Sequence, residues 1–217
     1  MEDNNKVADD FLFPYSTCET PNKEGIVQPF SFILNCISCF VILYFLFQTK
    51  KIWNFLLLVS FLLFEGIHTF SHAVHLPNNI QVSLIHPLVY FINIFYLIIF
   101  CKYTHKLPNI YFAFLLFCLF IFDIYAFINL AFIYYFTSAM IIFIFIFMYY
   151  YNYFERKDKQ YIKIILGLAL TIIFLFYNEH FNCKTMLSVF PNFPFHIFPE
   201  LTGVITFYYI SKFSFNL

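Results

Sequence analysis

Runs of roughly 20 predominantly apolar residues, the length that crosses the hydrocarbon core of a bilayer as a helix, recur along the chain. They fall at 29–48, 52–75, 80–101, 109–127, 129–151, 161–177 and 195–214. The pattern predicts an all-α membrane protein, a bundle of seven transmembrane helices. Between the runs stand loop signals: Lys50 and Lys51, the Leu76-Pro77-Asn78-Asn79 stretch, Lys106 to Pro108, the charged run 155–159, and Pro191 to Pro194. The break near Ile128 is the slightest, and a tight turn is expected there. Residues 1–28 are polar and acidic and are expected outside the membrane. They contain no apolar stretch of the kind a signal peptide needs, so either the first helix acts as a signal anchor or internal topology signals direct insertion. No internal repeat is evident, and no second domain is expected.

Composition strengthens this picture. Of the 217 residues 62% are hydrophobic and 11% charged, whereas soluble domains carry about 25% charged residues. The 36 Phe and 17 Tyr fit an AT-rich coding sequence and are read as lipid-facing or core filler. A formal net charge of zero gives no sign of nucleic-acid binding. The basic residues are placed unevenly. Lys50, Lys51, Lys102, Lys106, Arg156, Lys157, Lys159, Lys163 and Lys212 fall on one side of the predicted bundle, and Lys6, Lys23 and Lys184 on the other. Basic residues favour the cytosolic side of short loops. The N-terminus is therefore expected outside or in an organelle lumen and the C-terminus in the cytosol, in the endoplasmic reticulum, Golgi or plasma membrane. Cys36, Cys39, Cys101 and Cys118 fall in or beside apolar spans, while Cys18 and Cys183 lie in polar segments on the outer side. Disulfides form in that compartment, so a Cys18–Cys183 bridge is expected.

Ionisable groups inside a span cost about 2.5–3.5 kcal/mol each on insertion scales, and they usually face the bundle interior. The second predicted helix carries Glu65, His68, His72 and His75, within about 80° of one another on a helical wheel. His86 lies near the outer end of the third, Asp123 in the fourth, and His196 and Glu200, spaced i, i+4, in the seventh. The topology puts His72, His86, His196 and Glu200 at similar depth, and imidazole with carboxylate suits Zn²⁺. His75, beside a loop, reads as structural. Asp123 fits interhelical hydrogen bonding or proton handling as well as it fits a role in the site. Paired histidines on facing helices also suit haem.

Four stretches resemble the alkaline ceramidases, within a wider superfamily of seven-helix membrane hydrolases. Segment 16–22, with Cys18, Glu19 and Asn22, resembles a W-C-E-x-N motif. Segment 28–35 is similar to E-F-x-N-T-x-S-N. Segment 66–72 occupies the place of G-x-S-x-x-F-H. Glu179 and Cys183 resemble D-x-x-x-C-E, followed by 195–203, similar to F-H-x-x-W-H-x-x-T-G. The resemblance implies an intramembrane amidase acting on a lipid amide such as ceramide, with Zn²⁺ held by His72, His196 and Glu200. Glu200 stands where the family has a third His, and His68 where it has a Ser. The family's Asp on the third helix has no clean counterpart; Ser83 and His86 are nearest. In place of the Ser, His68 is open to stabilising the oxyanion, adding a ligand or blocking the site, and His68 or His86 is the expected proton carrier. A Ca²⁺ site from Glu19, Asn22 and Gln28 is also implied, with Gln28 replacing a Glu. Rival expectations are a degenerate relative that binds lipid as a receptor or scaffold, and a haem or proton-handling subunit.

Overall fold

The computed structural model describes residues 18–19, 22, 24–74, 78–129, 132–191 and 193–217, with backbone alone for 78–82, 132 and 133. His75, Lys23 and everything before Cys18 lie outside the described residues. Seven α-helices follow in order: α1 (Pro29–Leu46), α2 (Ile52–Ala73), α3 (Asn78–Thr104), α4 (Ile110–Ile128), α5 (Phe132–Tyr150), α6 (Arg156–Val189) and α7 (Ile197–Asn216). A 3₁₀ turn, Tyr151–Tyr153, follows α5. No strand occurs among the described residues. Six of the helices, α1 to α6, are long and apolar enough to cross a membrane, which makes the chain a membrane-spanning helical protein. In α7, Glu200, Thr202, Ser211, Lys212 and Ser214 dilute the apolar residues.

Local chemistry sets several helix ends. Pro29 opens α1, where a missing N–H costs nothing and the fixed φ suits the first turn. The Asn109 side chain caps α4 by accepting from Phe112 N at 2.8 Å. The charged run 155–159 was expected as a loop, but α6 begins inside it, with Asp158 in the first turn. There a carboxylate complements the exposed N–H groups. At its other end α6 continues past the expected stop at 177 to Val189. At 1.5 Å per residue, this 34-residue helix is longer than a hydrocarbon core is thick, and the excess carries Glu179 and Cys183 toward α7.

The helices pack α1 on α2, α2 on α3, α3 on α5, α5 on α6, α6 on α7 and α7 back on α1. They close a ring, and α4 lies outside it against α5. Lipid is the natural partner of the side chains α4 turns outward, among them Phe114, Phe117, Ile121 and Tyr125, all exposed. One end of the ring is filled with aromatic rings. Tyr96, Phe100, Phe147, Tyr150 and Phe213 are fully buried, with Phe100 and Phe147 centroids 4.9 Å apart in an edge-to-face pair. This end is also tied by Asn54 Nδ2 donating to Ser214 O at 2.5 Å and by Tyr96 and Ser214 hydroxyls 3.2 Å apart. The opposite half of the ring holds the buried histidines with Glu65, Asp123, Glu179 and Glu200, while the buried Asp158 lies at the aromatic end beside Tyr103.

Candidate metal centre

His68 and His72 are one turn apart on α2, and α7 brings His196 and Glu200 against them. One donor atom from each of the four lies within 4.8 Å of all the others. His196 Nε2 is 2.7 Å from Glu200 Oε1, His72 Nε2 is 3.5 Å from it, and His68 Nε2 is 3.6 Å from it. The Nε2 atoms of His68 and His72 are 3.0 Å apart. Zinc bonds of about 2.0–2.1 Å in a tetrahedron put neighbouring donors about 3.3 Å apart, so these spacings suit one small cation. His72 and His196 are each 1% exposed and Glu200 4%.

The outer ring nitrogens show which way the inner ones point. Gln28 Oε1 accepts from His72 Nδ1 at 2.5 Å. The amide is oriented by its Nε2 donating to Glu19 O at 3.3 Å, and Gln28 N donates to His72 O at 3.0 Å. His196 Nδ1 lies 2.9 Å from both carboxylate oxygens of Glu179. Both Nδ1 atoms therefore carry a proton and turn Nε2 toward the cluster, the orientation seen in metal-ligating histidines. His196 Nε2 and Glu200 Oε1 are buried and 2.7 Å apart, turned so that no well-aligned hydrogen bond joins them. Positive charge between them satisfies both atoms, and either a metal ion or a proton on Nε2, which makes the two an ion pair, supplies it.

His68 differs. Its Nδ1 lies 3.4 Å from Asn35 Nδ2 and 3.5 Å from Glu65 Oε2, between an amide donor and a carboxylate acceptor. Either tautomer is served, which suits a ring that gains and loses a proton. His68 and Glu200, with Glu65, also line a cavity of about 190 Å³. Its other walls are mostly apolar, among them Phe64, Val89, Met140 and Phe207. His72 and His196 do not line it.

The expected bridge is present: Cys18 and Cys183 are joined, with Cα atoms 5.6 Å apart. Cys18 is also bonded through its backbone. Its N–H donates to Glu179 Oε1, and its carbonyl accepts from Phe195 N at 3.0 Å. The bridge thus holds Glu179, which orients His196, and the residue just before His196.

His86 and the expected calcium residues have their own surroundings. His86 does not join the cluster. It packs against Phe127, Tyr90 and Tyr135, with ring centroids 3.7, 4.5 and 4.9 Å away, and its Nε2 is 3.8 Å from Asp123 Oδ2. Pairing in the ring α2–α3–α5 turns this part of α3 toward α4 and α5. The three residues of the expected calcium site are engaged in hydrogen bonds of their own. Gln28 is committed to His72. Glu19 binds the Ser31 hydroxyl and accepts from Phe30 N at 3.3 Å. Asn22 is exposed and donates to Ile26 O at 3.0 Å. Burial pushes the Glu19 carboxyl up from its ordinary value, with Ser31 opposing the shift.

The sequence reading missed Glu179 and Gln28 as partners of the ring nitrogens, and Asn35 beside His68. A carboxylate four residues before Cys183 was the available signal for Glu179. No family model matches the chain, and neither a curated protein nor a solved structure matches it. What the centre does is therefore argued from its own geometry.

Proposed function

We propose that the protein is an intramembrane zinc-dependent amidase acting on a lipid amide such as ceramide. The observation that carries this reading is the meeting of the His68, His72, His196 and Glu200 donors, of which His68 and Glu200 line an apolar cavity. His72, His196 and Glu200 hold the ion, and Gln28 and Glu179 aim the two rings. Zinc bound there supplies a Lewis acid for the amide carbonyl and lowers the pKa of a bound water. His68, facing the cavity, takes the proton as water attacks and delivers it to the departing amine as the C–N bond breaks. Glu65 steadies the charged ring, and the apolar cavity takes the chain and excludes bulk water. Donors this tightly grouped suit a single ion better than a flat macrocycle such as haem.

The asymmetry of basic residues supports seven spans with the N-terminus outside or lumenal and the C-terminus cytosolic. The Cys18–Cys183 disulfide agrees with an oxidising outer side.

The test is release of free fatty acid from N-palmitoyl sphinganine by the purified protein, alongside its zinc content. Release that stops on chelation and returns with zinc is expected. A zinc-loaded protein that releases no fatty acid refutes the amidase reading. One observation favours a second reading. Four protein donors can close a tetrahedron, as in structural zinc sites, and the protein would then bind lipid without cleaving it. His68→Ala separates the two: zinc retained with turnover lost supports the amidase, whereas zinc lost along with His68 supports the closed site.

A further inference from the structure

The cavity wall is polar at only a few points, and one of them is Asn93 on α3. Asn93 is 2% exposed, and its Oδ1 has no hydrogen-bond partner among the described residues. Its depth follows from the neighbouring helix. Phe61 of α2 packs on Tyr96 of α3, with centroids 6.1 Å apart, and Lys102 lies over the Trp53 ring. The two helices are therefore antiparallel. Asn93, one turn back from Tyr96, is level with Phe64 and Glu65, a turn of α2 away from His68. A lipid with its amide carbonyl at the cluster places its next few bonds beside Asn93.

A plain methylene chain there leaves the carboxamide oxygen without a donor in a dry site, an arrangement that weakens binding. A hydroxyl at the same depth supplies the donor. We propose that Asn93 determines specificity, accepting a hydrogen bond from a hydroxyl within a few bonds of the scissile amide, such as the 3-hydroxyl of a long-chain amino-diol base. The inference rests on the cavity being the chamber for a lipid amide, and it does not require turnover.

The test is binding of N-palmitoyl sphinganine and its 3-deoxy counterpart to the full-length protein in detergent, read by native mass spectrometry. The unaltered protein should prefer the hydroxylated lipid about tenfold, the scale of one buried hydrogen bond. Asn93→Leu should bring the two affinities together. Asn93→Ala should do the same and serves if the leucine variant does not accumulate. Equal affinities in the unaltered protein, a preference that survives both replacements, or binding of neither lipid would overturn the proposal. A preference abolished by both replacements, with no hydrolysis of either lipid, upholds this inference and removes the amidase reading. Hydrolysis of both lipids with equal kcat/KM removes this inference and leaves the amidase.

Discussion

Two groups of buried histidine and carboxylate lie in the same half of the bundle, and they are built differently. In the first, His72 and His196 each engage an acceptor on the outer ring nitrogen, and their inner nitrogens meet Glu200 and His68. In the second, His86 stands alone among aromatic rings, 3.8 Å from Asp123, whose other oxygen is held by Ser138. The first converges from two helices and is oriented from behind by Gln28 and Glu179, which belong to the loop before α1 and to α6. The second joins α3, α4 and α5, adding polar contacts to the packing of α4 along α5. Burial of a histidine beside a carboxylate is common to both. What distinguishes a metal centre is that the inner nitrogens share one target and the outer ones are already occupied.

The sharpest break of this comparison is loss of a ligand. His72→Ala and His196→Ala should each reduce zinc from one per chain to none, measured by elemental analysis of the purified protein. His86→Phe should leave zinc at one per chain. Loss of zinc in His86→Phe would erase the contrast between the groups.

Next in size is the support behind the ligands. Glu179→Gln keeps the shape but removes the charge that favours the His196 Nδ1 proton, and it should weaken zinc binding about 10–100-fold, measured by competition with a chelator. Gln28→Leu should act in the same direction through His72. Unchanged zinc affinity in both variants would mean that the outer contacts do not orient the rings.

A smaller effect is expected at the bridge. Cys183→Ser leaves the backbone contacts of Cys18 to Glu179 and Phe195 in place but loosens the segment that makes them. Zinc affinity should fall, by less than in Glu179→Gln, in the same chelator competition. A larger loss than in Glu179→Gln would show that the bridge acts on the centre by another route.

The smallest effect belongs to the second group. Asp123→Asn should lower stability by about 1 kcal/mol, the scale of one interhelical hydrogen bond in a membrane, read from unfolding in mixed detergent. Zinc content should not change.

Much of this was legible in the sequence, for physical reasons. Apolar runs of membrane-crossing length mark helices whatever their packing, and the positions of α1 to α5 follow from them. His72, His196 and Glu200 were legible because i, i+4 spacing and alternating helix direction bring them to one depth. The ends of α6 were not: the charged residues 155–159 read as a loop because their role in a first helical turn depends on the cap. The Glu179–His196 contact depends on how far α6 extends and how α7 returns against it, and periodicity does not encode that. His86 was misplaced for a related reason, since its depth follows from sequence but the face it turns to follows from which helices close the ring.

The central claim is that one ion is held by ring nitrogens and a carboxylate oxygen from α2 and α7. X-ray absorption at the zinc edge on the purified, zinc-loaded protein tests it most directly. The account predicts a first shell of nitrogen and oxygen at about 2.0–2.1 Å, with outer-shell imidazole scattering that falls when His72 is replaced. A shell of sulfur at about 2.3 Å, or a nitrogen and oxygen shell that His72→Ala and His196→Ala leave unchanged, would contradict it.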